Sequence, residues 1–228
     1  MEEFKRLISL IGIDNYNKLA NKKIAIFGLG GIGSNVLSSL VRTGIDSFVL
    51  VDYDIVEPSN FNRQKIANYS TLGLKKTDAA YHLMKKINNN LSCKLYDLRI
   101  DKETIDKVDL KDVCYIVDAV DDLEAKLAIL MTAKELNIPI ISSMGVANKV
   151  NIKDLKISDV SKTDTCPLAR KYRKMVRDLK IKDVPVLYSK EELVNKEMGT
   201  IDYLVTVAAL LIVEYVIKDL LGDSNETT

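Results

Sequence analysis

Four glycines crowd the stretch Gly28-Leu-Gly-Gly-Ile-Gly33, and three of them, Gly28, Gly30 and Gly33, keep the spacing GxGxxG. The run Lys22–Phe27 before them is short, apolar and strand-like, and a helical pattern continues from them through Arg42. In a strand–turn–helix setting the first glycine permits a tight turn, the second lets backbone approach a phosphate, and the third lets helix pack on strand. The N–H groups and dipole of a helix start favour negative charge. Asp52 closes the next apolar run, Ser47–Val51, about where such folds place an acid on a ribose hydroxyl. A glycine turn without a ligand is the plain alternative, and the setting argues against it. These residues predict nucleotide binding.

The segment after Asp52 bears on which nucleotide. It reads Asp52-Tyr-Asp-Ile-Val-Glu-Pro-Ser-Asn-Phe-Asn-Arg-Gln64 and brings Asn60, Arg63 and Gln64 close to a strand end, with Lys76 at the start of the next helix. A nicotinamide or flavin enzyme needs only the glycine turn and the acid. A triphosphate needs polar and cationic side chains, because charge builds on the departing pyrophosphate. Gly31 and Asp54 join the candidate nucleotide contacts by position. Asp118-Ala-Val-Asp-Asp122 follows the strand Val113–Ala119, at the carboxyl edge where ligands of open α/β sheets collect. A carboxylate there suits Mg²⁺, a hard ion that prefers oxygen ligands. Asp121 is the expected metal ligand, with Asp122 as neighbour or substitute. The competing roles are a surface position for Arg63 and a helix N-cap on Leu123–Leu136 for Asp121.

These side chains need a frame. An amphipathic helix is expected over about Phe4–Leu19, further apolar strands at Val113–Ala119 and Ile138–Ser142, and helices at about Leu74–Asn88 and Leu123–Leu136. Strand and helix alternating in this way predict a Rossmann-like α/β fold, a mostly parallel sheet covered on both faces. After Gly145 the rhythm loosens into a strand-like Ile152–Ile157, a basic helix near Pro167–Leu179, a strand Val184–Tyr188, a loop of mixed charge and an apolar last helix. One domain over residues 1–222 with an elaborated second half is expected, followed by a disordered tail, 223–228.

Composition sets bounds. The chain has 228 residues, 47% hydrophobic and 29% charged, as in ordinary globular enzymes. A net charge of +1 argues neither for nor against nucleic acid. Three distant cysteines, Cys93, Cys114 and Cys166, form no CxxC pair, which suits a reducing cytoplasm and argues against a zinc ribbon or a disulfide framework. The acidic start is no signal peptide. The uncharged stretch Tyr203–Val213 is 11 residues long, well short of the roughly 20 that span a bilayer. A buried helix is expected there, and membrane-surface attachment stays open. His82, mid-helix and without a partner in the sequence, is expected at the surface or in packing.

GLGGIG, LVDYDIVEPSNFNRQ, the lysine in GLKKTDA, and VDAVDD together resemble the signature of the ThiF/MoeB/HesA family, whose members, like ubiquitin-activating enzymes, adenylate a carboxylate with ATP and release pyrophosphate. Within it, residues 142–149, 159–170 and 186–191 and the ending around Gly199-Thr-Ile are most similar to the tRNA threonylcarbamoyladenosine dehydratase branch. The resemblance runs from Arg6 to about Leu221. It implies that Gly28 and Gly30 cradle phosphates, that Asp52 takes the ribose, that Asn60, Arg63, Gln64 and Lys76 grip the triphosphate, and that Asp121 holds the metal. It also implies that Arg6 reaches the ATP of a neighbouring subunit in a homodimer, although a solvated helix position is an equal reading. The paired CxxC motifs that hold zinc in many members are missing, so no zinc is expected. Cys166 lies where some members carry an acyl-accepting cysteine, but a small packing role is favoured, since only Lys162 and Arg170 stand near enough in sequence to activate it.

The branch implies a tRNA substrate whose modified adenosine, beside the anticodon, bears a threonine carboxylate; a sulfur-relay protein partner is left open. The sequence adds one hint of RNA. Arg170, Lys171, Arg173, Lys174, Arg177, Lys180 and Lys182 face a single acid, Asp178, within thirteen residues. Such a cluster can grip a phosphate backbone, the plain alternative being a solvated helix face. Tyr172 and Tyr188 are the nearby aromatics for base stacking. The alternatives are activation of a ubiquitin-like sulfur carrier, a nicotinamide-dependent oxidoreductase and a non-catalytic nucleotide-binding scaffold.

Overall fold

The computed structural model describes residues 2–192 and 199–222. Among them, strands β1 (Lys23–Phe27), β2 (Ser47–Val51), β3 (Ser92–Tyr96), β4 (Tyr115–Asp118), β5 (Ile140–Ser143), β6 (Leu155–Asp159) and β7 (Pro185–Ser189) make one sheet in the order β3-β2-β1-β4-β5-β7-β6. Every neighbouring pair is parallel except β6 with β7. The helices are α1 (Lys5–Ile11), α2 (Ile13–Ala20), α3 (Gly31–Arg42), α4 (Lys76–Lys85), α5 (Leu123–Glu135), α6 (Pro167–Asp178) and α7 (Asp202–Leu221). The chain leaves β1 toward β2 and β3, then returns to start β4 on the other side of β1. That reversal opens a crevice beyond the carboxyl ends of β1 and β4, the usual ligand position in open α/β sheets.

Alternation along the strands builds two cores. Ile24, Ile26, Phe48, Leu50 and Val117 turn to one face, where they meet Val36, Leu37 and Leu40 of α3 and Leu204, Ala208 and Ile212 of α7. Ala25, Phe27, Val49, Val51 and Ile116 turn to the other, under Ile129 and Ala133 of α5 and Ala169, Tyr172 and Val176 of α6. A sheet covered on both faces explains why these strands read as unbroken apolar runs. The apolar stretch 203–213 is the first half of α7, packed across α3. No helix among the described residues is long and apolar enough to cross a membrane.

Two expectations are corrected and one strand is added. The opening helix is two helices, broken at Gly12, whose φ of 83° lies in a region that favours glycine. Strand β3 escaped sequence reading because it is an edge strand of polar and apolar residues in turn, SCKLY, half open to solvent. The strand expected over Ile152–Ile157 begins later, at Leu155, because Asn151 accepts the Lys153 N–H and winds Ile152–Asp154 into a 3-10 turn. The tail expected to be disordered, 223–228, and part of the mixed-charge loop, 193–198, lie outside the described residues.

Candidate active site

The crevice is a cleft of about 680 Å³. It is lined by Gly28, Gly30, Gly31, Asp52, Asp54, Asn60, Arg63, Gln64, Lys76 and Asp121, so the tertiary structure gathers nearly all the expected nucleotide contacts in one place. The exception is Gly33. A side chain there would drive into the Gly28 carbonyl, so Gly33 serves the turn by letting α3 close on it. Gly28 has φ 84°, and a Cβ on it would stand 2.8 Å from the Ala119 carbonyl oxygen, so the turn after β1 is pressed against the turn after β4. A Cβ added to Gly30 would meet nothing within 4 Å, and Gly30 lines the open cleft.

Asp52 fastens the glycine turn. One carboxylate oxygen accepts the Leu29 N–H at 2.6 Å and the other accepts the Asp54 N–H at 2.9 Å. The residue is 8% exposed. Burial pushes its carboxyl above the ordinary range, while Lys76 and the two N–H donors work against that shift. Each oxygen keeps a lone pair for a further donor such as a ribose hydroxyl.

The opposite wall is assembled locally. Asn60 accepts the Glu57 N–H at 3.1 Å, closing a capping box on the turn Pro58–Asn60. The Arg63 stem lies along Gly31, and its guanidinium donates to the Ser59 carbonyl at 2.8 Å and to Asn62 Oδ1 at 2.9 Å. That leaves other guanidinium donors for the cleft. Gln64 is buried with its Oε1 unpartnered, an orphan polar atom on a cleft-lining side chain and a fit for a polar ligand. The N–H groups of Val56 and Lys76 donate to the Leu74 and Asp54 carbonyls, which draws the start of α4 to the end of β2. Lys76 Nζ then meets Asp54 Oδ2 at 2.7 Å. Asp54 lines the cleft as the partner of Lys76.

Across the cleft, the two acids after β4 part ways. Asp122 is the N-cap of α5, accepting the Ala125 N–H at 2.9 Å, with Arg99 at 3.9 Å from its other oxygen. The capping role weighed for Asp121 belongs to Asp122, which is therefore not a free substitute metal ligand. Asp121 has no hydrogen bond or ion pair to a described residue. Sequence reasoning passed over Tyr53, Leu98, Arg99 and Ile100, which also line the cleft, Arg99 lying 5.7 Å from the Tyr53 ring centroid. The strand before Leu98 was the one missed, which is why this wall was invisible.

Arg6 is exposed on α1 and is not among the residues lining its own chain's cleft. On α6, Arg170, Lys171, Lys174 and Arg177 are exposed, and Lys171 lines a groove of about 460 Å³ shared with Asp121, Pro167 and Leu168. Arg173 departs from expectation, since its guanidinium is bound to the carbonyl and hydroxyl of Thr163. Tyr172 and Tyr188 are buried at 0% and 2% exposure, which removes both as stacking platforms. Cys166 is buried beside the Gly145 carbonyl in the core, a packing position. His82 is exposed, with Nδ1 2.7 Å from the Asp78 carbonyl oxygen.

Comparison with known proteins agrees with this fold. The tRNA threonylcarbamoyladenosine dehydratase of Bacillus subtilis is 32% identical in an alignment covering 98% of this chain and 96% of that protein. The crystal structure of Escherichia coli tRNA N6-threonylcarbamoyladenosine dehydratase in complex with ATP matches with a TM-score of 0.92 at 25% identity, over 97% of this chain and 94% of that one. The adenylyltransferase and sulfurtransferase UBA4 of Saccharomyces cerevisiae is more distant, 26% identical over 68% of this chain and 35% of its own length. The ThiF family model matches residues 4–228, and the chain belongs to the ThiF family.

Proposed function

We propose that this protein is an ATP-dependent tRNA threonylcarbamoyladenosine dehydratase, acting as a single ATP-binding unit over residues 1–222. The observation that carries the reading is the cleft itself. A glycine turn, a wall of Asn60, Arg63, Gln64 and Lys76, and Asp121, unpaired among the described residues, stand around one space, in a chain that aligns over 98% of its length with a dehydratase. In the reaction, an oxygen of the threonine carboxylate attacks the α-phosphorus of ATP and pyrophosphate leaves. A nucleophile within the same modified nucleoside then attacks the acyl carbon, AMP departs with that carboxylate oxygen, and a ring closes. The net change in the nucleoside is loss of one water.

Each side chain has a job in this scheme. The backbone N–H groups of the turn and the start of α3 receive phosphate, with Gly30 open to it. Asp52 holds the turn and accepts from the ribose. Arg63 and Lys76 oppose the charge that grows on pyrophosphate, and Asn60 and Gln64 orient it. Asp121, an exposed carboxylate without a partner among the described residues, would hold a Mg²⁺ ion, a hard cation that prefers oxygen ligands. When bound, Mg²⁺ would neutralise phosphate charge. Arg6, which does not line its own chain's cleft, is assigned to the neighbouring cleft of a homodimer. The exposed cations of α6, Arg170, Lys171, Lys174 and Arg177, are the tRNA-docking face, and the cytoplasm is the expected compartment.

The test is mass spectrometry of nucleosides from threonylcarbamoyl-modified tRNA incubated with the protein and ATP. The expected product is the nucleoside lighter by one water, with AMP and pyrophosphate formed alongside. Pyrophosphate release stimulated by a ubiquitin-like sulfur carrier and not by tRNA would replace this reading with the carrier-activating one.

A further inference from the structure

Behind the acidic turn, two ionisable side chains of opposite charge face each other away from water. Asp118 ends β4 and Lys126 stands on the first turn of α5, both with side chains 0% exposed. The Lys126 Nζ lies 3.1 and 3.0 Å from the two carboxylate oxygens. Stripping water from both partners makes a buried pair a weak stabiliser, and apolar side chains of similar volume often hold a core as well. The physical weight of this pair lies in what it fixes.

What it fixes is the turn 118–122. The Lys126 Nζ grips the start of that turn at Asp118, and the first backbone bond of α5, from the N–H of residue 126 to the Asp122 carbonyl at 3.0 Å, closes its end whatever side chain stands there. Inside the turn, Asp118 Oδ1 also accepts the Val120 N–H at 3.2 Å, and the Ala119 N–H donates to the Phe27 carbonyl at 2.8 Å. Asp122 is spent on capping α5. With every neighbour fastened, Asp121 is the carboxylate of the turn left without a partner among the described residues, and it lines the cleft.

We propose that Lys126 is a positioning residue that, through Asp118, holds Asp121 at the triphosphate side of the cleft. This rests on the reading of Asp121 as the carboxylate that meets Mg²⁺-bound ATP. Lys126 touches no reacting atom.

The test uses the full chain as wild type, Lys126→Arg, and the double variant Asp118→Asn/Lys126→Met, which leaves no buried charge unpaired. Three quantities are measured: Tm, kcat and KM for ATP in AMP formation on modified tRNA, and the MgCl₂ dependence of binding to a fluorescent ATP analogue. A displaced catalytic group about 1 Å off its place costs roughly 10²-fold, so the double variant is expected to lose on that order in kcat with KM for ATP little changed. Its half-saturating MgCl₂ rises about tenfold, the equivalent of roughly 1.4 kcal/mol. Lys126→Arg keeps the positive charge and N–H donors for both carboxylate oxygens, and keeps both readouts near wild type. A folded double variant with wild-type kcat and MgCl₂ response overturns the proposal, as does a folded Lys126→Arg that loses both as the double variant does. If wild type turns over no tRNA, the functional reading fails instead, and the MgCl₂ titration still decides the role of Lys126.

Discussion

Replacing Lys76 with methionine keeps most of a buried stem and removes one charge, which separates chemistry from folding. Lys76 is 5% exposed and its Nζ sits 2.7 Å from Asp54 Oδ2, but the Asp54 side chain is 47% exposed and can turn to water. The loss therefore falls between an exposed ion pair and a broken buried one, about 1–2 kcal/mol. For a chain of this size that lowers Tm by roughly 2–8 °C. The effect on the reaction is larger, because losing one fixed donor to developing charge costs about 10²–10³ in kcat. A continuous pyrophosphate-release assay on modified tRNA, run well below Tm, reads this directly. A third signature is acid sensitivity. Lys76 is the largest influence holding the Asp52 carboxyl down against its burial, so removing it raises the Asp52 pKa further. The acid limb of ATP binding then moves to higher pH. Folded Lys76→Met with kcat within threefold of wild type and an unmoved acid limb would refute the reasoning.

The two outer glycines of the α3 entrance should separate stability from binding. Gly33→Ala forces a methyl group into the Gly28 carbonyl and is expected to cost about 3 kcal/mol or more in urea unfolding. Gly30→Ala meets open space, so it should leave the unfolding midpoint nearly unchanged while weakening ATP in a calorimetric titration. Asp159 supplies a pH test. Burial disfavours its charge, but the Ser161 hydroxyl and N–H, the Val184 N–H and Lys162 outweigh that and hold its pKa below the ordinary 3.8. A depressed acid gives stability that is present above 3.8 and lost as pH falls through its lower folded value. Asp159→Asn should therefore flatten the acid limb of unfolding free energy against pH below about pH 4, and an unchanged limb would count against this assignment.

Much of the site was legible because its signals are local. GxGxxG after an apolar run needs only chain direction and φ to become a phosphate-facing turn, and Asp52, Arg63, Gln64 and Lys76 lie within a few residues of strand or helix ends. The fold class followed from strand and helix periods, which depend on near neighbours. What failed had weak local signal. Strand β3 alternates polar with apolar because one side meets solvent, and Leu98 and Arg99 were lost with it. Gly12 breaks the first helix through a backbone angle that composition does not announce.

The sequence by itself determined the α/β architecture, the glycine turn and which residues gather at the carboxyl edge of the sheet. Only the tertiary structure decided how those residues divide their work. Asp52 spends hydrogen bonds on the turn, Lys76 chooses Asp54, Asp122 caps a helix while Asp121 has no partner among the described residues, Arg173 turns to Thr163, and Lys126 meets Asp118 inside the core. The physical reason is that a side chain's type and position along an element are set by nearby residues, whereas its partner is set by which distant segments the crossovers bring within 3 Å. Spacing along the chain does not encode that distance.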